Sequence, residues 1–313
     1  MTDNSRPQNL KGWLRLFFSG LCMGTADLVP GVSGGTMALI LGIYESFIRS
    51  LCTLDKESLD DFIRLRWREF FKKVEWQFLC ALGLGMLAAI FTLAPLFHFL
   101  LNNVTYRSYL YAFFMGLVLA SSYFCGQRIR RWPVKVTSAF GLGALIAAVV
   151  TLAPLLFSFQ ISGPESFIGL IIWMFFCGLL GVCAMLLPGI SGSYVLTILQ
   201  AYPIIIGALA ALSSGVVHLT VPTDSLLIIL SLGAGIALGA LFFSRFIRWL
   251  LTNFHDVTLA CMVGFMLGAL PAVWPFWGEM SAGEVTTACM WMIAGGLVVV
   301  MVEKISQPVT SLT

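Results

Sequence analysis

Two short stretches rich in glycine and serine have the composition of an anion-binding turn. The first, PGVSGG, runs from Pro30 to Gly35, and the second, PGISGS, runs from Pro188 to Ser193. Proline ends a helix, glycine permits a tight reversal, and a serine or threonine hydroxyl caps the helix that follows. The free N–H groups and positive end of that helix favour an oxyanion such as phosphate. The candidate phosphate ligands are Gly31, Ser33, Gly34, Gly35, Thr36, Gly189, Ser191, Gly192, Ser193 and Tyr194.

Asp27 is an acid within an apolar segment, just before the first motif, and Met185 takes the matching place before the second. A carboxyl group in hydrocarbon is costly unless it is paired, protonated or bound to a cation, and such residues commonly mark ion pathways. An ionised Asp27 would repel a bound phosphate, so we expect a proton or a sodium ion to accompany the anion. The alternative is a structural role, in which Asp27 caps backbone N–H groups of its own tip.

Further polar residues could support such a site. Glu45 and the arginines stand near expected helix ends, where an interfacial position is the alternative. The 3 histidines and 8 cysteines form no catalytic or metal-ligand pattern, and no nucleotide-binding loop is present. We therefore expect no cofactor, no metal, no enzymatic activity and no nucleic-acid partner. The supporting candidates are Tyr44, Glu45, Arg49, Tyr202 and Arg245.

The rest of the chain predicts an all-α polytopic membrane protein. Of its 313 residues, 59% are hydrophobic and 11% are charged, and several apolar runs approach the ~20 residues that span a bilayer. The displacement of 158 residues that carries Pro30 onto Pro188 also carries Tyr44 onto Tyr202, which indicates an internal repeat. Each half holds one broken apolar segment followed by three candidate spans.

The predicted boundaries follow from this repeat. Residues 1–160 form the first repeat, with a re-entrant hairpin at 13–50, an amphipathic cytoplasmic helix at 53–74 and three transmembrane helices. Residues 161–313 form the second, with a re-entrant hairpin at 166–212 and three transmembrane helices. The two arms of the first hairpin, residues 13–29 and 36–50, are each expected to be one helix, slightly short for a full crossing. The alternative is a pair of fully spanning hairpins whose turns lie at the far surface.

Charge orients the two halves. If only the six other runs cross fully and the N-terminus is inside, all but Arg107 of the 18 lysines and arginines become cytoplasmic. Three crossings lie between the hairpins, so the second enters from the opposite face. The repeats are therefore predicted to be inverted, as in many secondary transporters. Both termini are expected to be cytoplasmic.

The two motifs also carry a family resemblance. GTADLVPGVSGGTMALILGIYESFI, from Gly24 to Ile48, and PGISGSYVLTILQAY, from Pro188 to Tyr202, resemble the PopT-type polyprenyl-phosphate transporters, a bacterial family first described as a domain of unknown function. The resemblance covers nearly the whole chain. Gln200 departs from it, because the family often has glycine there.

The resemblance implies a transporter of the bacterial cytoplasmic (inner) membrane that returns undecaprenyl phosphate, or a related polyprenyl phosphate, from the outer to the inner leaflet. This lipid carries precursors of cell-wall and surface polysaccharides, and its phosphate would bind at the two hairpin tips. Two other classes remain. A small-anion transporter or channel would use the same tips, whereas an enzyme acting on the lipid would need a nucleophile or metal cluster that the sequence does not present. The coupling ion and the oligomeric state are not predicted.

Overall fold

The computed structural model describes residues 9–29, 31–156, 164, 166–217, 222–276 and 280–306. These residues form α-helices and one 3-10 helix, with no β-strand among them. Seven of the described helices are long and apolar enough to cross a membrane. Large apolar side chains such as Phe91 and Phe242 lie on the outer surface, 78% and 71% exposed, as expected for lipid contact. The predicted all-α polytopic class is confirmed.

The first hairpin contains three helices. Helix α1 is Leu10–Asp27, α2 is Gly34–Ile40 and α3 is Tyr44–Cys52. Ser33 caps α2, as the motif predicts, because its hydroxyl accepts a hydrogen bond from the N–H of Gly35. The prediction of one returning helix over residues 36–50 is wrong. The helix breaks between α2 and α3, where Gly42 has a φ of 67°.

A short amphipathic hairpin follows, made of α4 (Lys56–Ile63) and α5 (Trp67–Lys73). The single helix predicted over residues 53–74 is therefore wrong. The break falls at Leu65, whose φ of 58° cannot continue a right-handed helix. The Lys73 ammonium lies 2.7 Å from the Asp61 carboxylate and joins the two helices. The amphipathic pattern continues through α4 and α5, so it does not predict the turn at Leu65 between them.

The remaining helices repeat this order without the amphipathic hairpin. In the second hairpin, α10 (Gly192–Ile198) and α11 (Ala201–Val217) meet at an angle of 105°. Of the candidate spans, six are the predicted crossings and the seventh is α9 (Phe167–Leu186), whose 20 residues extend about 30 Å. The re-entrant character and the inverted orientation of the hairpins stay predictions. The bounds are α6 Trp76–Asn102, α7 Val104–Gln127, α8 Val134–Leu156, α9 Phe167–Leu186, α10 Gly192–Ile198, α11 Ala201–Val217, α12 Thr223–Asn253, α13 His255–Gly268, the 3-10 helix Leu270–Val273, and α14 Ala282–Ser306.

Helix pairing links the two halves of the chain. Helix α1 packs on α6 and α9 packs on α12, each within its own half. In contrast, α7 packs on α14 and α8 packs on α13, so these pairs join different halves. Gly116 on α7 faces the backbone carbonyl of Met292 on α14, too close for any side chain. Gly264 on α13 approaches the carbonyl of Phe140 on α8 in the same way. The halves are therefore interlocked, and the hairpin tips lie in the interior between them.

Candidate functional site

The tips of the two hairpins lie against each other. The hydroxyl of Thr36 accepts a hydrogen bond from the N–H of Gly189 at 2.8 Å. The Tyr44 hydroxyl donates to the carbonyl of Leu186, also at 2.8 Å. Both bonds are buried, and both join the first motif region to the second. The two motif regions therefore contact each other in the structure.

The two turns have the same backbone geometry. Gly31 has a φ of 89° and Gly189, its counterpart in the second motif, has a φ of 91°. Farther along, Gly42 and Gln200 are also counterparts, and their φ angles are 67° and 55°. The left-handed region is accessible to glycine without steric cost but unfavourable for glutamine. Gln200 therefore replaces the glycine that the family often has, while the backbone keeps the left-handed conformation of its counterpart Gly42.

Asp27 closes the first tip. Its Oδ1 atom accepts a hydrogen bond from the N–H of Gly34 at 2.7 Å. The Ser33 hydroxyl accepts from the N–H of Gly35 at 3.2 Å and donates to the carbonyl of Leu187 at 3.4 Å. Asp27 consequently has the structural role that was one of its two sequence interpretations, because it satisfies an N–H group at the start of α2.

The second oxygen of Asp27 has a different environment. Oδ2 is buried and has no hydrogen-bond partner within the described part of the chain. An ionised carboxylate oxygen without a partner is unfavourable in an apolar interior, which favours a proton or a ligand at this atom. The same carboxyl group thus combines one structural oxygen with one unused oxygen.

The second tip lacks this acid. Met185 stands where the first half has Asp27, and among the described residues no acceptor binds the N–H of Gly192 or Ser193. The counterparts of these groups in the first tip are the N–H groups that Asp27 and Ser33 satisfy. The Ser191 hydroxyl lies 2.9 Å from that of Ser193 and accepts from the N–H of Tyr194 at 3.4 Å. The second tip therefore presents free N–H groups beside hydroxyls.

A cavity of about 150 Å³ joins these features. Asp27 lines one side, and Gly192 and Ser193 line another. Helices α9 and α12 supply the remaining, mostly apolar walls. Unused N–H groups and a hydroxyl suit an anion, and a protonated carboxyl could donate a hydrogen bond to it. The cavity thus combines the anion-binding and acidic features that the sequence indicated.

The other predicted site residues lie outside this cavity. Glu45 Oε1 is 3.6 Å from Nε2 of His255, and Arg49 is 3.8 Å from Glu75. Arg245 donates to the carbonyl of Leu54 at 2.7 Å and to that of Leu241. Tyr202 is 43% exposed, unlike its buried counterpart Tyr44. The structure therefore brings Tyr44 to the tips and does not bring the two arginines, Glu45 or Tyr202 there.

Several hydrogen bonds at the tips cannot be predicted from the sequence, because they use backbone carbonyls. The carbonyls of Leu186 and Leu187 accept bonds from the first motif region, and Thr151 accepts at its carbonyl from the Tyr194 hydroxyl at 2.9 Å. Every residue has such a carbonyl, so its use depends on the tertiary fold. Pro30, which the first motif includes, lies outside the described residues.

The described residues form a polytopic helical membrane protein in which the tips of two broken hairpins contact each other, beside a cavity lined by Asp27, Gly192 and Ser193. The chain belongs to the family described as VCA0040-like, undecaprenyl phosphate translocase-like, whose model matches residues 23–301. The resemblance found in the two motifs is thereby confirmed.

Two relatives match the chain along most of its length. A polyprenyl-phosphate transporter of Vibrio cholerae serotype O1 is 35% identical over 278 residues, which are 87% of this chain and 82% of that protein. A polyprenyl-phosphate transporter of Staphylococcus aureus is 33% identical over 294 residues, which are 90% of each chain. No solved structure matches the chain.

Proposed function

We propose that this protein transports undecaprenyl phosphate, or a closely related polyprenyl phosphate, from the outer to the inner leaflet of the bacterial cytoplasmic membrane. The observation that carries the proposal is its similarity, over most of the chain, to two proteins named polyprenyl-phosphate transporters. A transporter of this kind needs a polar shelter for one phosphate group, while the apolar chain can stay in lipid. The cavity beside the hairpin tips supports this proposal, because Asp27, Gly192 and Ser193 contribute polar groups to its lining.

The phosphate is proposed to bind at the second tip first. There Gly192 and Ser193 line the cavity, and their free N–H groups would favour the oxyanion. At the first tip, Ser33 and Thr36 bind the other hairpin in this conformation. Separation of the tips would release these hydroxyls to the phosphate, which is the step that alternating access requires.

Asp27 is proposed to couple the transport to an ion. A phosphate in this cavity would lie against Asp27, and an ionised carboxylate there would repel it. A proton on Asp27 removes the repulsion and adds a hydrogen-bond donor. A sodium ion would remove it as well, so both remain candidate coupling ions.

The proposed orientation places the basic ends of the helices in the cytoplasm. Arg128 at the end of α7 pairs with Glu303 near the end of α14 at 3.1 Å, and Arg245 binds the Leu54 carbonyl after α3. These contacts support a common basic face, as the positive-inside rule expects. Both termini would then be cytoplasmic.

The direct test is the transbilayer movement of undecaprenyl phosphate in liposomes that contain the purified protein. We expect the intact protein to move the lipid and the double variant Ser33→Ala/Ser191→Ala to move it much more slowly. Ser108→Ala is the matched control, because its buried hydroxyl bonds only within its own helix and lies away from the tips. If the intact protein moves inorganic phosphate and no lipid under any imposed gradient, the small-anion function replaces the proposal.

A further inference from the structure

A second, larger space lies on the outer surface of the bundle, between α7 and α13. It is a groove of about 570 Å³ that continues to the loop after α7. The phosphate site at the hairpin tips does not include it. Its lining includes Leu119, Ser122, Tyr123, Gly126, Trp132 and Leu267.

The groove is lined mainly by apolar side chains and is open at the surface of the helix bundle. Tyr123 and Trp132 form its rims and are 64% and 47% exposed, whereas Ser122 on the floor is buried. Gly126 has no side chain, and a Cβ atom added there would meet no atom within 4 Å. The Trp132 ring packs edge-on against Phe140 of α8, which fixes this rim in place. Such a recess suits a hydrocarbon chain that enters from the membrane.

The groove lies beside a small cavity at the hairpin tips. Val118 and Met266, each adjacent in sequence to a groove residue, line a small cavity together with Ser33 and Thr36. Leu119 and Leu267 lie on the groove side of the same helices. Adjacent residues of a helix differ by only about 1.5 Å in rise and point to neighbouring faces, so the groove and the small cavity lie on neighbouring faces of α7 and α13 at a similar depth.

Two arginines are next to the other end of the groove in sequence. Arg130 and Arg131 are exposed and immediately precede the rim residue Trp132. Within the described ranges no carboxylate pairs with either of them, whereas Arg128 pairs with Glu303. An anionic head group beside the rim would therefore meet two available guanidinium groups, which bind phosphate well.

From these contacts we infer that the groove is a holding site for a polyprenyl phosphate, with the isoprenoid chain along α7 and α13 and the phosphate at Arg130 and Arg131. The inference rests on the proposed function and extends it, because it assigns the lipid chain a defined path beside the tips. The occupant is a lipid with one chain and a small head group. Such a molecule can slide along a single groove towards the tips, whereas a phospholipid carries two chains and a larger head.

The test is photolabelling of the full-length protein in liposomes. The probe is undecaprenyl phosphate with a diazirine in the isoprene unit nearest the phosphate, and labelled peptides are located by mass spectrometry. We expect label on residues 119–132 of the α7 segment and 263–267 of α13. Gly126→Leu fills the groove without a backbone clash and should lower the probe affinity about tenfold, the equivalent of about 1.4 kcal/mol. Gly233→Leu is the matched control, because Gly233 also has open space around it and lies on α12.

A charge variant tests the head-group end. Arg130→Gln/Arg131→Gln should weaken the labelling by the phosphate probe and leave that by the corresponding polyprenol unchanged, with Lys135→Gln as the control. Label confined to other helices, or equal labelling of the Gly126→Leu variant, would overturn the inference. Equal labelling by a phosphatidylglycerol diazirine would also overturn it, since the groove would then be a general lipid surface. If the groove is labelled selectively but the intact protein moves no lipid, the holding site stands and the transport function fails.

Discussion

At residue scale, Gln200 holds a backbone conformation that is unfavourable for its type. Its φ is 55°, and its counterpart in the first half is Gly42. A left-handed conformation costs a non-glycine residue about 1–2 kcal/mol, part of which is offset because glycine loses more entropy on folding. We therefore expect Gln200→Gly to stabilise the protein by up to about 1 kcal/mol. Thermal unfolding of the detergent-solubilised protein measures the change.

The reverse substitution is the matched control. Gly42→Gln places the same side chain at the counterpart position, where a Cβ atom would meet no atom within 4 Å. Any loss of stability there comes from the backbone rather than from a clash. We expect a destabilisation of about 1 kcal/mol, and two unchanged melting temperatures would show that the bend does not depend on this conformation.

The two carboxyl oxygens of Asp27 have different proposed roles. Oδ1 accepts a structural hydrogen bond, and the carboxyl group as a whole is proposed to bind the coupling ion. Asparagine keeps an oxygen that can accept from the N–H of Gly34, but it cannot release a proton. We expect Asp27→Asn to fold and bind the lipid, and to lose the response of transport to an imposed proton or sodium gradient. Asp27→Ala also removes the acceptor and should cost a further 1–3 kcal/mol or so of stability. Transport by the asparagine variant with an unchanged gradient response would exclude Asp27 as the coupling residue.

At the scale of elements, contacts of Lys73 with Asp61 and Glu57 join α5 to α4. The Lys73 ammonium donates a hydrogen bond to Asp61 and, with the positive charge of Arg66, holds the pKa of that carboxyl below its usual value of 3.8. A lowered pKa in the folded state stabilises the hairpin above the usual pKa, and this stabilisation is lost as the pH falls through the lowered value. Hydrogen exchange of residues 56–73 should therefore accelerate in strong acid, after correction for the intrinsic pH dependence.

Two substitutions distinguish this contact from the general effect of acid. Asp61→Asn should weaken the protection of the hairpin at pH 7 and flatten its response to acid. Asp60→Asn removes only the exposed pair with Arg64 within α4, so the wild-type response should remain. If both variants change the hydrogen exchange alike, the acid response depends on the total charge of the hairpin and not on the contact between Asp61 and Lys73.

The elements also show how far the sequence predicts this fold. The repeated motif predicts both hairpins and the cap at Ser33, because proline, glycine and serine have local conformational preferences. The breaks at Leu65 and Gln200 are not predicted, since neither residue type favours a left-handed conformation. Likewise, the sequence shows an acid at Asp27. It does not show that one carboxyl oxygen is hydrogen-bonded and the other has no partner, because this depends on the tertiary packing around the tip.

At the scale of the whole molecule, the two halves contact each other both at the hairpin tips and between long helices. The tips bind each other through Thr36 and Gly189, and beyond the tips α7 and α8 pack on α14 and α13. A change in the distance between the tips must therefore be accommodated by the interfaces between these helix pairs. Close backbone contact at Gly116 makes one such interface sensitive to a single added methyl group.

This interlocking leads to an expectation for separated halves. A chain cut between α8 and α9 yields one fragment with α1–α8 and one with α9–α14, and each fragment exposes a helix face that normally packs on the other. We expect neither fragment to accumulate alone in the membrane, and the two to assemble into a stable complex when they are expressed together. Co-purification through a tag on one fragment measures the assembly.

Glycine variants show whether assembly uses the native interface. Gly116→Ala places a methyl group against the Met292 carbonyl and should weaken the complex by about 1–3 kcal/mol, the usual cost of overpacking. Gly141→Ala adds the same group to α8 where no atom lies within 4 Å, so it should have little effect. Stable accumulation of either fragment alone would mean that a half-chain can satisfy its own helix faces. In that case movement at the tips would not require the two cross-half interfaces to change together.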